Sequence, residues 1–552
     1  MEFRSRTPFG MAWRNIARIV KPDVTITTAP AGLTFDQDVE VPVRDGTVLR
    51  VDVQRPARPG RYPVLLSAQP YGKGDMPAAG RGGRRKPVQY FLAANAAPIV
   101  HSSLTPWEAP DPAFWVPRGY VVVTVDLRGW GNSDGFGEVL SRQEGLDVHD
   151  VIEWAAVQPW ANGKVGMSGV SYLAITQWAA AATRPPHLAA ICPWEGFTDA
   201  YSDFAYPGGV REDGFMVLWS ALQRRQKPKS VSFRAEQKKH RLRDEWWAAR
   251  AADLEKIEVP ALVCASFTDQ GLHSRGSFEG YRRIGSARKW LYTHRGPKWA
   301  TYYSADAVQT QARFFDHFLR GDDTGVTEEP AVRIEVRASR TDVVRVIRTD
   351  QWPPREVEPV ELHLDGDTLA PERPVRTRVL PVPRAGRQFA WTFDRDTDVI
   401  GPMRLRVRVS AEGPDVQLIA AVRKLHHGRE VTFEGAYGFT GDVVTRGWLR
   451  ASHRAVDDRR STEWEAWHPH DRAEPLAPGQ TADLDLTLLP SATRFAAGDQ
   501  LLLHLNDRWL FPGNPITGQW PAVYERPRRQ RWNVHTGGAM ASLTIPVWNG
   551  AM

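Results

Sequence analysis

Cysteine is nearly absent. The 552-residue chain has two, Cys192 and Cys264, too few for a disulfide framework. Each closes a strand-like apolar run and reads as an inert thiol. Long apolar runs are missing too, and nothing approaches the ~18 residues of a membrane-spanning helix. The N-terminus lacks the apolar core of a secretory signal, because Pro8 and Gly10 fall among Arg4, Arg6, Arg14, Arg18 and Lys21. A cytoplasmic protein is the expectation. Trp13, Ile16, Ile19 and Val20 predict a short amphipathic helix packed on its own domain. Neither C-x-x-C nor H-E-x-x-H occurs, so no metal site is expected; His426-His427 and His468-Pro469-His470 read as strand or turn residues. Gly129-Trp130-Gly131 lacks the third glycine and the following helix of a nucleotide loop, and no cofactor is expected.

What is present is ordinary globular material, 42% apolar and 24% charged, in a chain long enough for two to four domains. Buried-strand runs such as Pro63–Leu66, Tyr120–Val125, Val165–Met167, Ala261–Cys264 and Trp290–Tyr292 alternate with helical stretches. That rhythm predicts a mostly parallel sheet covered on both faces. Residues 199–254 break it, being helical, basic and rich in tryptophan, as an inserted cap would be. Beyond about residue 355, apolar residues alternate with Arg404, Arg406 and Arg408, and again with Asp483 and Asp485. Period-two patterning with few helical signals predicts a β-sandwich. The expected fold class is α/β, with core segments at 1–198 and 255–355, a helical cap at 199–254 and a C-terminal β-sandwich (jelly roll) at 356–552.

The stretch Gly163–Ala174 runs from a strand through a Gly/Ser turn straight into a helix. An α/β-hydrolase nucleophile needs that arrangement: a sharp turn lifts the hydroxyl clear of the sheet, and the helix N-terminus supplies amide donors for an oxyanion. Ser168 and Ser171 compete. Each has a glycine two residues before it and none two residues after, so neither completes G-x-S-x-G. Ser171 adjoins the helix and is favoured, with the Tyr172 amide aimed at the oxyanion. The order Ser, acid, His then points to Asp269 after the strand 261–266 and to His294 after the strand 289–292. His294 would take the serine proton and Asp269 would orient its ring. His273, four residues beyond Asp269, reads as a loop residue too close to that acid to come from a separate strand end. His317 reads as a core residue, and His149 faces away on its helix.

With these residues placed, the sequence resembles the CocE/NonD hydrolases, which include bacterial cocaine esterase, α-amino-acid ester hydrolases and X-Pro dipeptidyl-peptidases. The marks are Val43-Arg44-Asp45-Gly46-Thr47, Pro70-Tyr71-Gly72-Lys73, Asp126-Leu127-Arg128-Gly129-Trp130-Gly131, Gly169-Val170-Ser171-Tyr172 and Phe314-Phe315-Asp316-His317. The resemblance implies a hydrolase core, a helical cap and a jelly roll. It also implies that the Tyr71 hydroxyl joins the Tyr172 amide as the oxyanion hole. The family often carries its histidine in a Gly-Pro-Trp-x-His run, whereas here His294 precedes Gly296-Pro297-Lys298-Trp299. The implied activity is hydrolysis of a carboxylic ester or related acyl bond through an acyl-enzyme. The alternatives are an amide-cleaving peptidase or acylase, an acyltransferase with the same triad, or a catalytically silent interaction protein of this fold.

The formal charge is +7. Residues 224–243 alone hold nine bases against the single acid Glu236, and Arg81, Arg84, Arg85 and Lys86 form a second basic cluster in the long 72–118 loop. Charge runs of this kind are commonly solvated faces; the sharper expectation is steering of an anionic substrate. The expected partner is therefore a small ester or amide, with no nucleic acid and no membrane span; a homo-oligomer is left open.

Overall fold

The run Val121–Asp126 is buried at every position, as a β-branched strand covered on both faces must be. It belongs to a ten-stranded sheet, numbered here in chain order: β1 (Leu33–Pro42), β2 (Val48–Pro56), β3 (Tyr62–Gln69), β4 (Val121–Asp126), β5 (Ala161–Val170), β6 (Leu188–Trp194), β7 (Ala261–Ser266), β8 (Lys289–His294), β9 (Val332–Arg337) and β10 (Val343–Thr349). The computed structural model describes residues 8–550 apart from 78, 81–82, 85, 94–96, 226–227, 439–440, 515–517, 528–529 and 538–540. In space the strands run β1-β2-β4-β3-β5-β6-β7-β8-β9-β10. The pairings from β4 through β9 are parallel; β1–β2, β2–β4 and β9–β10 are antiparallel. Parallel strands end together, so the residues after β3, β5, β6, β7 and β8 emerge along one edge. Ligand crevices in α/β sheets form at that edge.

The first helix, α1 (Pro8–Val20), is present as expected, but it turns Asn15 inward and leaves Trp13 66% and Val20 72% exposed. Its apolar face is not packed on the domain. Helices α2 (Arg142–Ala156) and α3 (Tyr172–Ala181) cover the sheet; the Ser141 hydroxyl caps α2 by accepting from the Glu144 N–H. The 199–254 stretch is helical, with α4 (Phe215–Arg225), α5 (Phe233–Lys239) and α6 (Glu245–Ala248). Phe204, Trp219, Phe233 and Trp247 pack them onto the core. Helices α7 (Ser274–Arg283), α8 (Lys298–Tyr302) and α9 (Ala305–Phe315) follow β7 and β8.

The C-terminal part is β-rich. The strands Val357–Asp365, Ala541–Trp548, Thr397–Ala411 and Thr481–Phe495 pair antiparallel in that order. A second set joins Arg387–Thr392, Gln500–Asn506, Gln417–His426 and Thr445–Arg450. Between them lies a separate apolar core that includes Met403, Leu405, Val407, Leu484 and Leu486. The alternating arginines face outward and pair across the strands, Arg404 with Asp485 and Arg408 with Asp483. The two parts are bolted together. Arg295, fully buried, donates to the Val444 carbonyl (3.0 Å) and the Ser491 hydroxyl (3.3 Å), and the Gln270 amide also donates to Val444 O (3.0 Å).

Candidate active site

β5 passes through Gly169 and Ser171 into α3. Gly169 has φ of 147°, and a Cβ there would stand 2.5 Å from that of Leu173, so only glycine fits. Ser171 sits at φ 60°, ψ −117°, a region costing a non-glycine residue ~1–3 kcal/mol. Its N–H donates to Trp194 O (3.0 Å), and its carbonyl accepts from the Ala174 and Ile175 N–H groups. The strained turn presents the hydroxyl to a cavity of about 370 Å³ lined by Tyr71, Glu108, Trp107, Trp219, Trp299 and Tyr437. Ser168 points elsewhere: it is fully buried, with its hydroxyl 3.1 Å from both the Tyr302 hydroxyl and Gln311 Oε1.

The histidine against Ser171 is His273, and this corrects the expected placement of His294. His273 Nε2 lies 3.2 Å from Ser171 Oγ, and its Nδ1 lies 2.6 Å from Asp269 Oδ2. The loop after β7 carries Asp269 and turns at once into α7, with His273 at its N-cap; the Leu272, His273 and Ser274 N–H groups all donate to Asp269 O. That tight turn lets two residues only four apart face each other. Phe197 stacks on the imidazole at 5.8 Å and 15°. His294 does end β8, but its Nε2 bonds Glu195 Oε1 (3.1 Å) and its Nδ1 accepts from the Gly296 N–H (3.2 Å). Glu195 in turn accepts from the Ser266 hydroxyl (2.6 Å). His294 therefore belongs to a buried pair beside the site and makes no contact with Ser171.

Lys298, at the start of α8, completes the arrangement. Its ammonium bonds Asp269 Oδ2 and lies 3.0 Å from His273 Nδ1. Burial opposes ionisation of Asp269, but Lys298 and His273 outweigh it and hold the carboxyl well below the usual carboxylate range. The His273 imidazole is lowered first by burial and then by the Lys298 charge, against the pull of Asp269. In reverse, burial lowers Lys298 while Asp269, Glu195 and Glu108 more than restore it. The Ser171 proton can thus pass to a neutral imidazole held by an ionised acid.

Tyr71 follows β3 as expected. Burial, then Glu108, push its hydroxyl well above a phenol's ordinary range, against the opposing influence of Trp219 and Ser171. Its ring meets that of Tyr172 edge-on at 6.2 Å. The Tyr172 side chain is committed elsewhere: its hydroxyl bonds the Glu144 carboxylate (2.9 Å) and accepts from the Leu140 N–H (3.1 Å). What Tyr172 offers near Ser171 is its amide, at the N-terminus of α3. The basic clusters are only partly described, since Arg81, Arg85 and Lys227 fall outside the described residues. Of the rest, Arg243 pairs with Asp199, Arg241 with Glu525, and Lys239 with Glu236. The Cys192 and Cys264 thiols are buried and free, and burial raises both.

Sequence reasoning passed over His273, Lys298, Glu108 and Glu195. One signal was available for the first two: an Asp and a His four residues apart, and a lysine where the family run carries tryptophan after Gly-Pro.

Residues 45–297 match the family model for X-Pro dipeptidyl-peptidase (S15 family), and residues 324–506 match that for the X-Pro dipeptidyl-peptidase C-terminal non-catalytic domain. Cocaine esterase from Rhodococcus sp. (strain MB1 Bresler) is 36% identical over 186 residues, 34% of this chain and 28% of that protein. A putative Xaa-Pro dipeptidyl-peptidase from Streptomyces avermitilis is 27% identical over 354 residues, 58% of this chain and 49% of that protein. The chain thus spans half or less of the length of these curated relatives. The crystal structure of a CocE/NonD family hydrolase from Staphylococcus aureus superposes with a TM-score of 0.88 at 34% identity, covering 96% of this chain and 99% of that one. Matched along almost its whole length at that identity, the chain belongs to the CocE/NonD family of hydrolases.

Proposed function

We propose that this hydrolase cleaves a carboxylic ester through an acyl-enzyme on Ser171. The observation that carries the reading is the unbroken line from Ser171 Oγ through His273 to Asp269, opening onto a cavity with aromatic walls. In this reading His273 Nε2 takes the hydroxyl proton as Oγ attacks the scissile carbonyl, then returns it to the leaving alkoxide. Water repeats the sequence to release the acid. Asp269 holds the ring with Nδ1–H directed at its carboxylate and stabilises the imidazolium that forms. The oxyanion is met by the Tyr71 hydroxyl and the Tyr172 amide; one such donor contributes ~10²–10³ in rate.

A fluorophosphonate probe tests the nucleophile: the adduct maps to Ser171 and is absent from the Ser171→Ala protein. An adduct on Ser168, or none on folded wild-type protein, refutes the reading. The matches to X-Pro dipeptidyl-peptidase models favour a second reading, amide cleavage by the same residues. Matched aryl esters and dipeptidyl anilides separate the two; faster anilide turnover would make the chain a peptidase.

A further inference from the structure

Glu108 stands on the cavity wall beside Ser171 and takes no part in the chemistry above. It is 3% exposed and holds a φ of 63°, a strained backbone of the kind stored at functional sites. Its carbonyl accepts from the Val170 N–H (3.1 Å), one residue before the nucleophile, so the side chain is within reach of the first atoms of a bound acyl group. Carboxyl Oε1 accepts from Trp299 Nε1–H at 2.8 Å. Oε2 is buried with no partner. Among the described residues no cation lies within ion-pair distance of Glu108, because Lys298, on the same wall, is bonded to Asp269.

An unpaired carboxylate among aromatic rings costs several kcal/mol, and a group so placed keeps its proton. Burial, reinforced by Glu195 and Asp269 and opposed by Lys298 and the Trp299 N–H, raises Glu108 to about 8. With the indole N–H on Oε1, the proton belongs on Oε2, the oxygen with no partner in the protein, on a residue that lines the cavity. Among the described residues, two other polar side chains on the cavity wall have unmet atoms, the Nε2 of Gln223, 7% exposed, and Oε1 of Gln89. Both are carboxamides, so the unmet hydrogen-bonding groups that the described residues turn to the cavity are uncharged.

We propose that Glu108 is a specificity residue, a neutral O–H donor to an acceptor oxygen close to the scissile carbonyl, with the Gln223 amide as a second donor. The substrate class is an uncharged ester whose bulky or aromatic acyl group carries a hydroxyl, ether or carbonyl oxygen. A substrate ammonium would have to strip the proton from Glu108. A substrate carboxylate would lie against aromatic rings, its nearest cation already engaged. The inference rests on the serine-hydrolase reading.

The test uses the full chain and four p-nitrophenyl esters alike but for the α-substituent: phenylacetyl, mandelyl, O-methylmandelyl and phenylglycyl. One new hydrogen bond to the bound acyl group should raise kcat/KM for the mandelyl and O-methylmandelyl esters roughly tenfold over phenylacetyl. Glu108→Gln keeps a donor and should keep that ratio, whereas Glu108→Leu should bring it to about one, with thermal melting as the folding control. If E108L does not fold, the E108Q ratio decides alone: retained, it supports the donor, and lost, it overturns it. A wild-type preference for phenylglycyl that E108Q abolishes would show an ionised carboxylate reading an amine and overturn the proposal. So would an unchanged ratio in E108L. Failure of the hydrolase reading is seen separately, as the absence of ester turnover. In that event, calorimetric titration of mandelamide against phenylacetamide reads the same preference without chemistry, and equal affinities overturn it.

Discussion

Lys298→Met removes the charge on Nζ while keeping a long apolar stem in a site where the lysine is almost wholly enclosed, its side chain 3% exposed. The ammonium lies 3.0 Å from His273 Nδ1 and shares Asp269 Oδ2 with it. Two unit charges at ~4 Å interact by about 4 kcal/mol at an effective dielectric of ~20, and one pKa unit is about 1.36 kcal/mol. The Lys298 charge therefore strongly opposes protonation of His273. Part of this is lost in the variant, as water fills the space and Asp269 acts on His273 alone. The sign is fixed: His273 is now held below its ordinary value, so removing the cation raises it. The ring then stays protonated, and useless as a base, to higher pH. We expect the acid limb of kcat/KM, which reports the free enzyme, to move up by at least about one unit. A pH–rate profile of an activated ester from about pH 4 to pH 9 measures it. Lys298→Arg should hold the wild-type limb. A limb that stays put in K298M, with kcat merely scaled down, would refute electrostatic control of His273 and leave Lys298 a packing residue.

Ser171→Ala should lower kcat by a factor of about 10⁴ or more without loss of folding, because the residues of a catalytic unit fail together. Ser168→Ala should keep activity and lose only about 1–2 kcal/mol in urea denaturation, from its bonds to Tyr302 and Gln311. The histidines separate cleanly: His273→Ala should cost kcat about 10³-fold or more, as measured on the same ester. His294→Ala should keep kcat within about tenfold while losing about 2–4 kcal/mol of stability, since it strands the buried Glu195 carboxyl. Tyr71→Phe should lower kcat about 10²–10³-fold with KM little changed if its hydroxyl meets the oxyanion; a KM effect alone would place Tyr71 in binding instead.

The parts of the site that local chain geometry dictates were legible in the sequence. Ser171 is marked by a strand, a glycine and a helix start within a few residues, and Asp269 by its place just after a buried apolar run. The ordering rule then put the histidine after β8. A histidine does stand there, yet its ring is drawn to Glu195, a residue from the end of β6 that no spacing connects to it. His273 is passed over because two members of a proposed triad four residues apart look too close. The loop folds on itself through three N–H groups on one carbonyl, and so removes that objection. Glu108 could not be found at all, and Lys298 shows only as a departure from the family's Gly-Pro-Trp run, since each matters through neighbours more than twenty residues distant. The coarse fold was easier because hydrophobic period distinguishes parallel strands, helices and sandwich strands directly. The exposed apolar face of α1 goes against that same logic.

Gln270, one residue beyond Asp269, and Arg295, one beyond the His294 that lies beside the site, are gripped by Val444 and Ser491 of the C-terminal part, and Tyr437 from that part lines the cavity. The catalytic core thus does not own its active site. A protein cut between the two parts would keep every residue of the proposed chemistry yet lose one side of the mould that holds them. Exchanging C-terminal parts between relatives would transplant selectivity along with stability.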